Sequence, residues 1–564
     1  MKNRINKAKP FKAGYTALAG GILGMVIFII VYGIYVVNPC YDDWIWNSSG
    51  DITQHYIGWL FLRRSDWHFP LGLIDGLIAD TSVSCVYTDS IPALAIFFKI
   101  LSPILPDTFQ YLGLWGLFCF GMQGALSSLI LRRFSKNPVY CLAGSVFFIL
   151  SPVVIFRMFT HTSLAGHWII LLALLIWVYQ DRQWKYSFTP VILWTLNGMA
   201  AAMVHIYFIP MIYMIMGGYI ITDLLKNQKL VRPLLCFAST TFFSLITLFC
   251  IGAFYGSTEA SNDGLCAYSA NFNSLFNGMG YSKFLAPLNL FSQGQTEGFG
   301  YLGLGMIVAA AMAVVIFVYH ICGQGGFSAG IKAFLRSHWQ TVLAVALVIA
   351  VSLFLAASPL GTLNAGILYN IKYPEKIIKL LSIFRASGRF IWVTDYLIFT
   401  IVLAAFAKID RPKAMIFAVM LCLSVQLLDL RDFAADKHKN FACRTEYISP
   451  LKDSFWSDEA IKSKSKIVFL QISEDFSNEM NLYFNIAGYA KKNDMELSSF
   501  YLARCDFDKL KNYADEQLSL LEQGKGDSDT LYIFLGDYKI TGNEKFNVRK
   551  ADKITVATSS RSPS

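Results

Sequence analysis

Charge is what this chain has least of. Only 15% of its 564 residues are charged and 55% are hydrophobic, with a mean hydropathy of +0.46. A soluble domain carries about 25% charged residues, so the scarcity excludes a soluble globular protein and predicts a multi-pass membrane protein. Also missing are a P-loop, a dinucleotide-binding fingerprint and any zinc-type cysteine spacing. A protein that binds a nucleotide through one of those folds is therefore excluded. The segment before Tyr15 contains Lys2, Arg4, Lys7, Lys9 and Lys12 but no acid, and no small-residue cleavage site follows the apolar run behind it. That run, Tyr15–Val37, is too long for the apolar core of a signal peptide, so it predicts a retained anchor with a cytoplasmic N-terminus.

What is present is a series of apolar runs long enough to span, about 20 residues each and about eleven in number. They begin with Tyr15–Val37 and end with Ala414–Leu430, and include Val139–Phe156, Leu164–Tyr179, Phe188–Val204, Tyr207–Leu224 and Phe390–Ala407. The division at His205 is the weakest, since Pro190 to Leu224 also reads as one broken helix. The formal charge of +10 lies largely in short connections between runs, where it sets orientation rather than binding nucleic acid. With the N-terminus inside, the basic residues Arg132, Arg133 and Lys136, Arg182 and Lys185, Lys226, Lys229 and Arg232, Lys332 and Arg336, and Lys408, Arg411 and Lys413 all fall inside. Three long loops, 38–108, 256–300 and 358–389, then fall outside, as does the tail from Arg431. In that tail charges become frequent. Lys466–Ile472, Leu497–Leu502 and Thr530–Leu535 read as strands, and Ser477–Lys491 and Asp506–Leu521 as helices. The alternation predicts a small α/β outer domain over 431–555, and residues 556–564 read as a disordered tail. Cys40 and Cys85 share the first outer loop, as a disulfide or as two free thiols.

The first outer loop carries Asp42, Asp43 and Asp51 close to the membrane surface, among Trp44, Trp46, Trp59 and Trp67. The tryptophans suggest segments lying in the interface. The acids read either as chemistry or as loop acids and helix caps, with Asp51 as an N-cap and the helix starting at Ile52. Asp51, His55 and Trp59 share one face of such a helix.

This plan resembles the GT-C class of integral membrane glycosyltransferases: an anchor from a cytoplasmic N-terminus, a long outer loop with early acids, many spans and an outer terminal domain. The stretches GDITQHYIGWLFLRRSDWHFPLG, TEGFGYLGLG and FRASGRFIW resemble short motifs of a bacterial multi-pass family of that organisation. The resemblance covers roughly residues 15–430, and its motifs are more specific for the family than for a substrate. It implies a sugar donor on a polyprenyl phosphate, a glycan, lipid or polymer acceptor at the outer face of the bacterial cytoplasmic membrane, and inversion at the anomeric carbon. It also implies an acid in the first outer loop as general base, with Asp51 first and Asp42 and Asp43 as rivals. Some members of the class use a divalent metal such as Mg or Mn, but no dense carboxylate set here demands one. His55 reads as an acceptor-orienting residue, a metal ligand or an interfacial helix residue. Arg63 and Arg64 either hold a lipid phosphate or snorkel to headgroups.

The loop 256–300 is rich in Asn, Ser, Gly and Tyr, a composition that suits sugars and any ordered loop alike. Glu297 reads as catalytic support, as sugar-binding, or as a helix-start acid. The loop 358–389 places Lys372, Lys376, Lys379, Arg385 and Arg389 on the outer face, against the positive-inside pattern. Arg385 and Arg389, four apart and entering a span, are expected to aim at one phosphate or pyrophosphate, with lipid headgroups or loop carboxylates as the other partners. Arg157, His161, His167 and His205 lie near the ends of runs, and Asp395 lies shallow in one. A lipid or polysaccharide transporter and a non-catalytic envelope assembly protein remain the competing readings. Against the first, no clear internal repeat is visible.

Overall fold

The computed structural model describes residues 13–559 except 49, 182–187, 228–229, 257–263, 324, 358, 471–479, 503, 505 and 535–545. The described chain is mostly helical, with a small sheet region near its C-terminus. Among the described residues, eight helices are long and apolar enough to cross a membrane, and four apolar helices are shorter.

The first long helix, Ala13–Tyr32, packs antiparallel against Leu112–Arg132. At one end Arg132 Nη1 donates to Thr16 Oγ1 at 3.1 Å. At the other, Gln110 Nε2 donates to the Val36 carbonyl at 2.9 Å. Between them the backbones touch at Gly20, Gly24 and Gly124, where any Cβ would strike the opposite chain. Small residues that let helix backbones meet are the usual basis of helix association where lipid removes the hydrophobic drive.

Two of the expected spans are broken inside their apolar runs. Val139–Phe156 divides into Pro138–Ile149 and Pro152–Arg157, because Pro152 has no N–H to continue the first helix. Leu164–Tyr179 becomes a 3₁₀ turn, Thr162–Ala165, and the helix Trp168–Val178. Thr189–Val204 and Phe208–Asn227 are separate helices, so the chain does break at His205.

The segment after the first helix is folded rather than loose. Its helix Asp51–Arg64 buries every residue from Ile52 to Leu62. A hairpin follows, Leu73–Ile78 with Thr81–Ser84, and then the helix Pro92–Leu101. The tryptophans are not the interfacial element expected. Trp44 and Trp59 are buried in the core, and only Trp67 is well exposed. Over residues 38–108 the other exposed large apolar side chains are Phe69, Leu71, Phe97, Ile100 and Ile104. Cys40 is exposed, Cys85 is buried, and both are free thiols, so the disulfide alternative is corrected.

The C-terminal sheet has five strands in the order Glu496–Leu497, Lys466–Phe469, Thr530–Phe534, Ile554–Ser559, Phe546–Ala551. The first three run parallel and the last two form an antiparallel hairpin. The strand expected over Leu497–Leu502 ends at Leu497. Beyond it the backbone turns to the helical part of the chain: the Ser498 carbonyl accepts from Ala79 N at 3.1 Å, and the Tyr501 carbonyl from Gln54 Nε2 at 2.7 Å. The closing hairpin was not expected at all. Its strand Ile554–Ser559 overlaps the start of the tail read as disordered, and residues 560–564 lie outside the described residues.

Candidate functional site

Gly50 occupies the N-cap of helix Asp51–Arg64, so Asp51 is the first helical residue rather than the cap. Its carboxylate is thereby free to point outward, and Asp51 Oδ2 lies 3.2 Å from His161 Nδ1. One turn on, His55 is completely buried and neither ring nitrogen has a hydrogen-bond partner among the described residues. Burial, with a smaller contribution from His161, pushes its pKa down to about 3, so the ring is a neutral imidazole. One residue short of the next turn, Gly58 packs directly under Thr88 and Ser90.

That contact brings a second acid to the helix. Ser90 Oγ donates to the His55 carbonyl at 2.8 Å, and Tyr111 OH donates to the Ser90 carbonyl. On either side of Ser90, Asp89 and Ile91 are held at φ 52° and 53°. The left-handed region suits an aspartate but strains a β-branched isoleucine, so the surrounding bonds must impose it. Asp89 Oδ1 lies 3.4 Å from His205 Nε2. Burial pushes the Asp89 carboxyl up to about 6.

Two of the quoted motifs meet beside these acids. A Cβ on Gly388 would lie 2.6 Å from Gly298 Cα, so FRASGRF and TEGFGYLGLG approach at backbone contact. This closeness lets Arg389 chelate Glu297, with Nε and Nη2 at 2.8 and 2.7 Å from Oε2. Arg157, 1% exposed, reaches the same carboxylate at 2.9 and 3.1 Å, and His161 Nε2 lies 3.5 Å away. Burial alone would raise the Glu297 pKa, but Arg157 and Arg389 outweigh it and hold the carboxyl well below its usual range. We expect Gly388→Val to force the two motifs apart and cost about 1–3 kcal/mol, the usual range for overpacking. Thermal unfolding in detergent measures it, and an unchanged midpoint would show that the backbone contact is not needed.

Several of these groups border a cavity of about 380 Å³. Asp51, Asp89, His161, His205, Arg385 and Arg389 face it from the helical part, and Tyr501 and Arg504 from the C-terminal part. Arg504 Nη2 donates to the Ile383 carbonyl at 2.6 Å, tying the two parts together at the rim. On the alternation read from the charges, every one of these residues falls in a connection on the same face.

The sequence-predicted residues do not all arrive. Asp42 accepts from Tyr56 OH at 2.9 Å and Trp46 Nε1 at 3.0 Å, which anchors the short helix Asp43–Ser48 to Asp51–Arg64. Asp43 opens that short helix; burial, then Asp42 and Glu446, raise its pKa. Neither acid lines the cavity. Arg63 is spent on the carbonyls of Ser102, Leu105, Pro106 and Asp107. Glu297 is no helix-start acid, since the helix begins at Leu304, whose N–H is accepted by Asp429 Oδ2 at 3.0 Å. Arg385 and Arg389 do not share a helical face: the helix Glu375–Ser382 ends first, and the chain bends through Arg385 into the 3₁₀ turn Ser387–Phe390. They nevertheless border one cavity, in different states. Arg389 is committed to Glu297, whereas Arg385 has no carboxylate partner among the described residues and lies over the Tyr268 ring at 5.9 Å. Polar side chains of loop 256–300 bond to one another and to the segment 358–389: Asn271 Nδ2 donates to Gln295 Oε1, Asn271 Nδ2 and Gln295 Nε2 both donate to Thr362 Oγ1, and Asn273 Nδ2 to Asn364 Oδ1. Sequence reasoning missed Asp89, Tyr501 and Arg504. The only signal for Asp89 was its place three residues before Pro92, which starts a helix.

Residues 21–431 match a family described as a domain of unknown function, DUF6311, and residues 455–559 match its C-terminal domain. This chain belongs to the DUF6311 family. No curated protein matches it. In DUF6311 terms the cavity is a joint product of the two matched regions, with its acids, histidines and two arginines from the first, and Tyr501 and Arg504 from the second.

Proposed function

We propose that this DUF6311 protein is a multi-pass membrane glycosyltransferase of GT-C type. It moves a sugar from a polyprenyl-phosphate donor to a glycan, lipid or polymer acceptor at the outer face of a bacterial cytoplasmic membrane. The observation that carries the reading is the pairing, in one cavity, of a carboxylate held by a histidine with an arginine, Arg385, that has no carboxylate partner among the described residues. Glycosyl transfer from a lipid phosphate needs both groups. Asp51 takes the proton of the acceptor hydroxyl as its oxygen attacks the anomeric carbon. The bond from that carbon to the phosphate oxygen breaks, and the phosphate leaves with the electron pair. Arg385 and Arg504 receive the developing charge. The Glu297–Arg389–Arg157 cluster serves as the rigid wall behind them.

An entry for a lipid is consistent with the rim. Ser382 and Ile383 border the cavity at the end of helix Glu375–Ser382. That helix exposes Ile377 and Leu380 beside Lys376 and Lys379, as a segment lying on an anionic membrane surface does.

The test is transfer of labelled sugar from polyprenyl-phosphate donor in membranes of cells lacking the gene, complemented with wild type or with Arg385→Gln/Arg504→Gln. We expect the double variant to lose at least about 100-fold in rate, the scale of removing preorganised charge stabilisation. Equal restoration of surface glycan by both proteins would remove the leaving-phosphate role and bring the transporter and assembly readings forward.

A further inference from the structure

The group that the sugar-transfer chemistry leaves unexplained is His55. Among the described residues both of its ring nitrogens lack a hydrogen-bond partner, and a buried polar atom without a partner is costly because it loses its hydration for nothing. One nitrogen of His55, one of His161 and one carboxylate oxygen of Asp89 all lie within 4.8 Å of one another. We propose that these three residues form a divalent transition-metal site in the cavity wall.

Several features fit an ion there. Two imidazoles and one carboxylate are a donor set for zinc, manganese, iron or cobalt, whereas magnesium and calcium favour oxygen ligands throughout. Zinc or manganese therefore suits the site better than the magnesium that the sequence also allowed. Donors about 2.0–2.2 Å from one ion sit closer together than 4.8 Å. The closure falls to the movable members: the His161 and Asp89 side chains are 25% and 21% exposed at the cavity edge, while His55 is fixed. The outer partners are also in place. His161 has a carboxylate near each ring nitrogen, Asp51 at Nδ1 and Glu297 at Nε2, so coordination through one nitrogen leaves the other held. Asp89 is backed by His205. Carboxylate–histidine–metal relays of this kind orient the ligand and raise its basicity. The anchoring of Ser90 to the His55 carbonyl, with Asp89 and Ile91 held in the left-handed region on either side, keeps two of the ligands in register. Three protein ligands leave coordination positions open to the cavity, where a phosphate or hydroxyl oxygen can bind. The site does not depend on glycosyl transfer, since an ion would face the cavity whatever molecule enters it.

The experiment uses the full chain in detergent, stripped with a chelator and titrated with Co(II), which reports its ligand field by visible absorption. Wild type is expected to take up one equivalent, displaced by Zn(II). His55→Ala and His161→Ala are expected to bind at least 10-fold more weakly while eluting as wild type does. His55→Gln, which keeps a polar group in the core, serves if His55→Ala does not fold. Pulsed electron paramagnetic resonance of wild type with one equivalent of Cu(II) should detect coupling to two imidazole nitrogens. Absence of stoichiometric Co(II) binding, or a Co(II) spectrum unchanged by loss of His55, overturns the site. Neither readout involves sugar transfer, so failure here and failure of the transferase reading are separate results.

Discussion

Under the proposed transferase mechanism, Asp51→Asn is expected to preserve the fold and reduce sugar transfer by about 10²–10⁴-fold, the usual contribution of a general base. Asparagine has the same shape and can still accept a hydrogen bond from His161 Nδ1, now 3.2 Å from the Asp51 carboxylate. What it cannot do is take a proton from the acceptor. The control is Asp42→Asn/Asp43→Asn. Those acids lie off the cavity, and Asp42 already accepts from Tyr56 and Trp46. That variant should lose some stability and retain transfer. Labelled-sugar transfer in membranes at matched protein levels distinguishes the two. A fully active Asp51→Asn alongside an inactive double variant would move the base to the earlier pair. Full activity in all variants would end the acid-dependent mechanism.

The second large effect concerns stability. Glu297→Leu should destabilise the protein by about 3–5 kcal/mol, the cost of stripping the partner from a buried charge. Arg157 is almost wholly buried and Arg389 nearly so, and both have Glu297 as their carboxylate. Without it two buried guanidinium groups lose the carboxylate they share. Glu297→Gln should cost less, because one amide oxygen can still accept. The difference between wild type and Glu297→Gln should depend on pH in a defined direction. The folded pKa lies below the usual value, so the carboxylate's stabilisation is complete above about 4.5 and is lost as pH falls through the folded pKa. Thermal midpoints at neutral and acidic pH measure this. If the two proteins unfold alike at neutral pH, the arginines are neutralised by something other than Glu297.

Much of the architecture is legible along the chain because apolar runs and basic connections are local signals. The run Tyr15–Val37 contains the observed helix Ala13–Tyr32 almost entirely, and Ala414–Leu430 nearly coincides with Pro412–Asp429. Length, however, was overestimated wherever proline or a 3₁₀ turn broke a run that stays apolar, as at Pro152 and Thr162. Tryptophan content misled for a related reason. Amphipathic rings mark an interface and a core equally well, and Trp44 and Trp59 went to the core. The strand expected through Leu502 failed because its second half bonds to another part of the chain, a competitor that no local pattern reveals.

For the candidate site, the sequence by itself singled out several of the charges that gather at and around the cavity. Asp51, Glu297, Arg385 and Arg389 stand out as charges in a chain with few, and the charge alternation assigns them all to one face. Only the tertiary structure decided how they are used. It separated Arg385 from the chelated Arg389, turned Asp42 and Arg63 into anchors, and brought Asp89, His161 and Arg504 to the same cavity. The physical reason is that a carboxylate's role depends on which charges and hydrogen-bond donors lie within a few ångströms, and here those partners come from segments as far apart as Asp51 and Arg504. Hydrophobic patterning positions a helix across its own length, but side-by-side packing, down to the contact of Gly298 with Gly388, determines which ends meet.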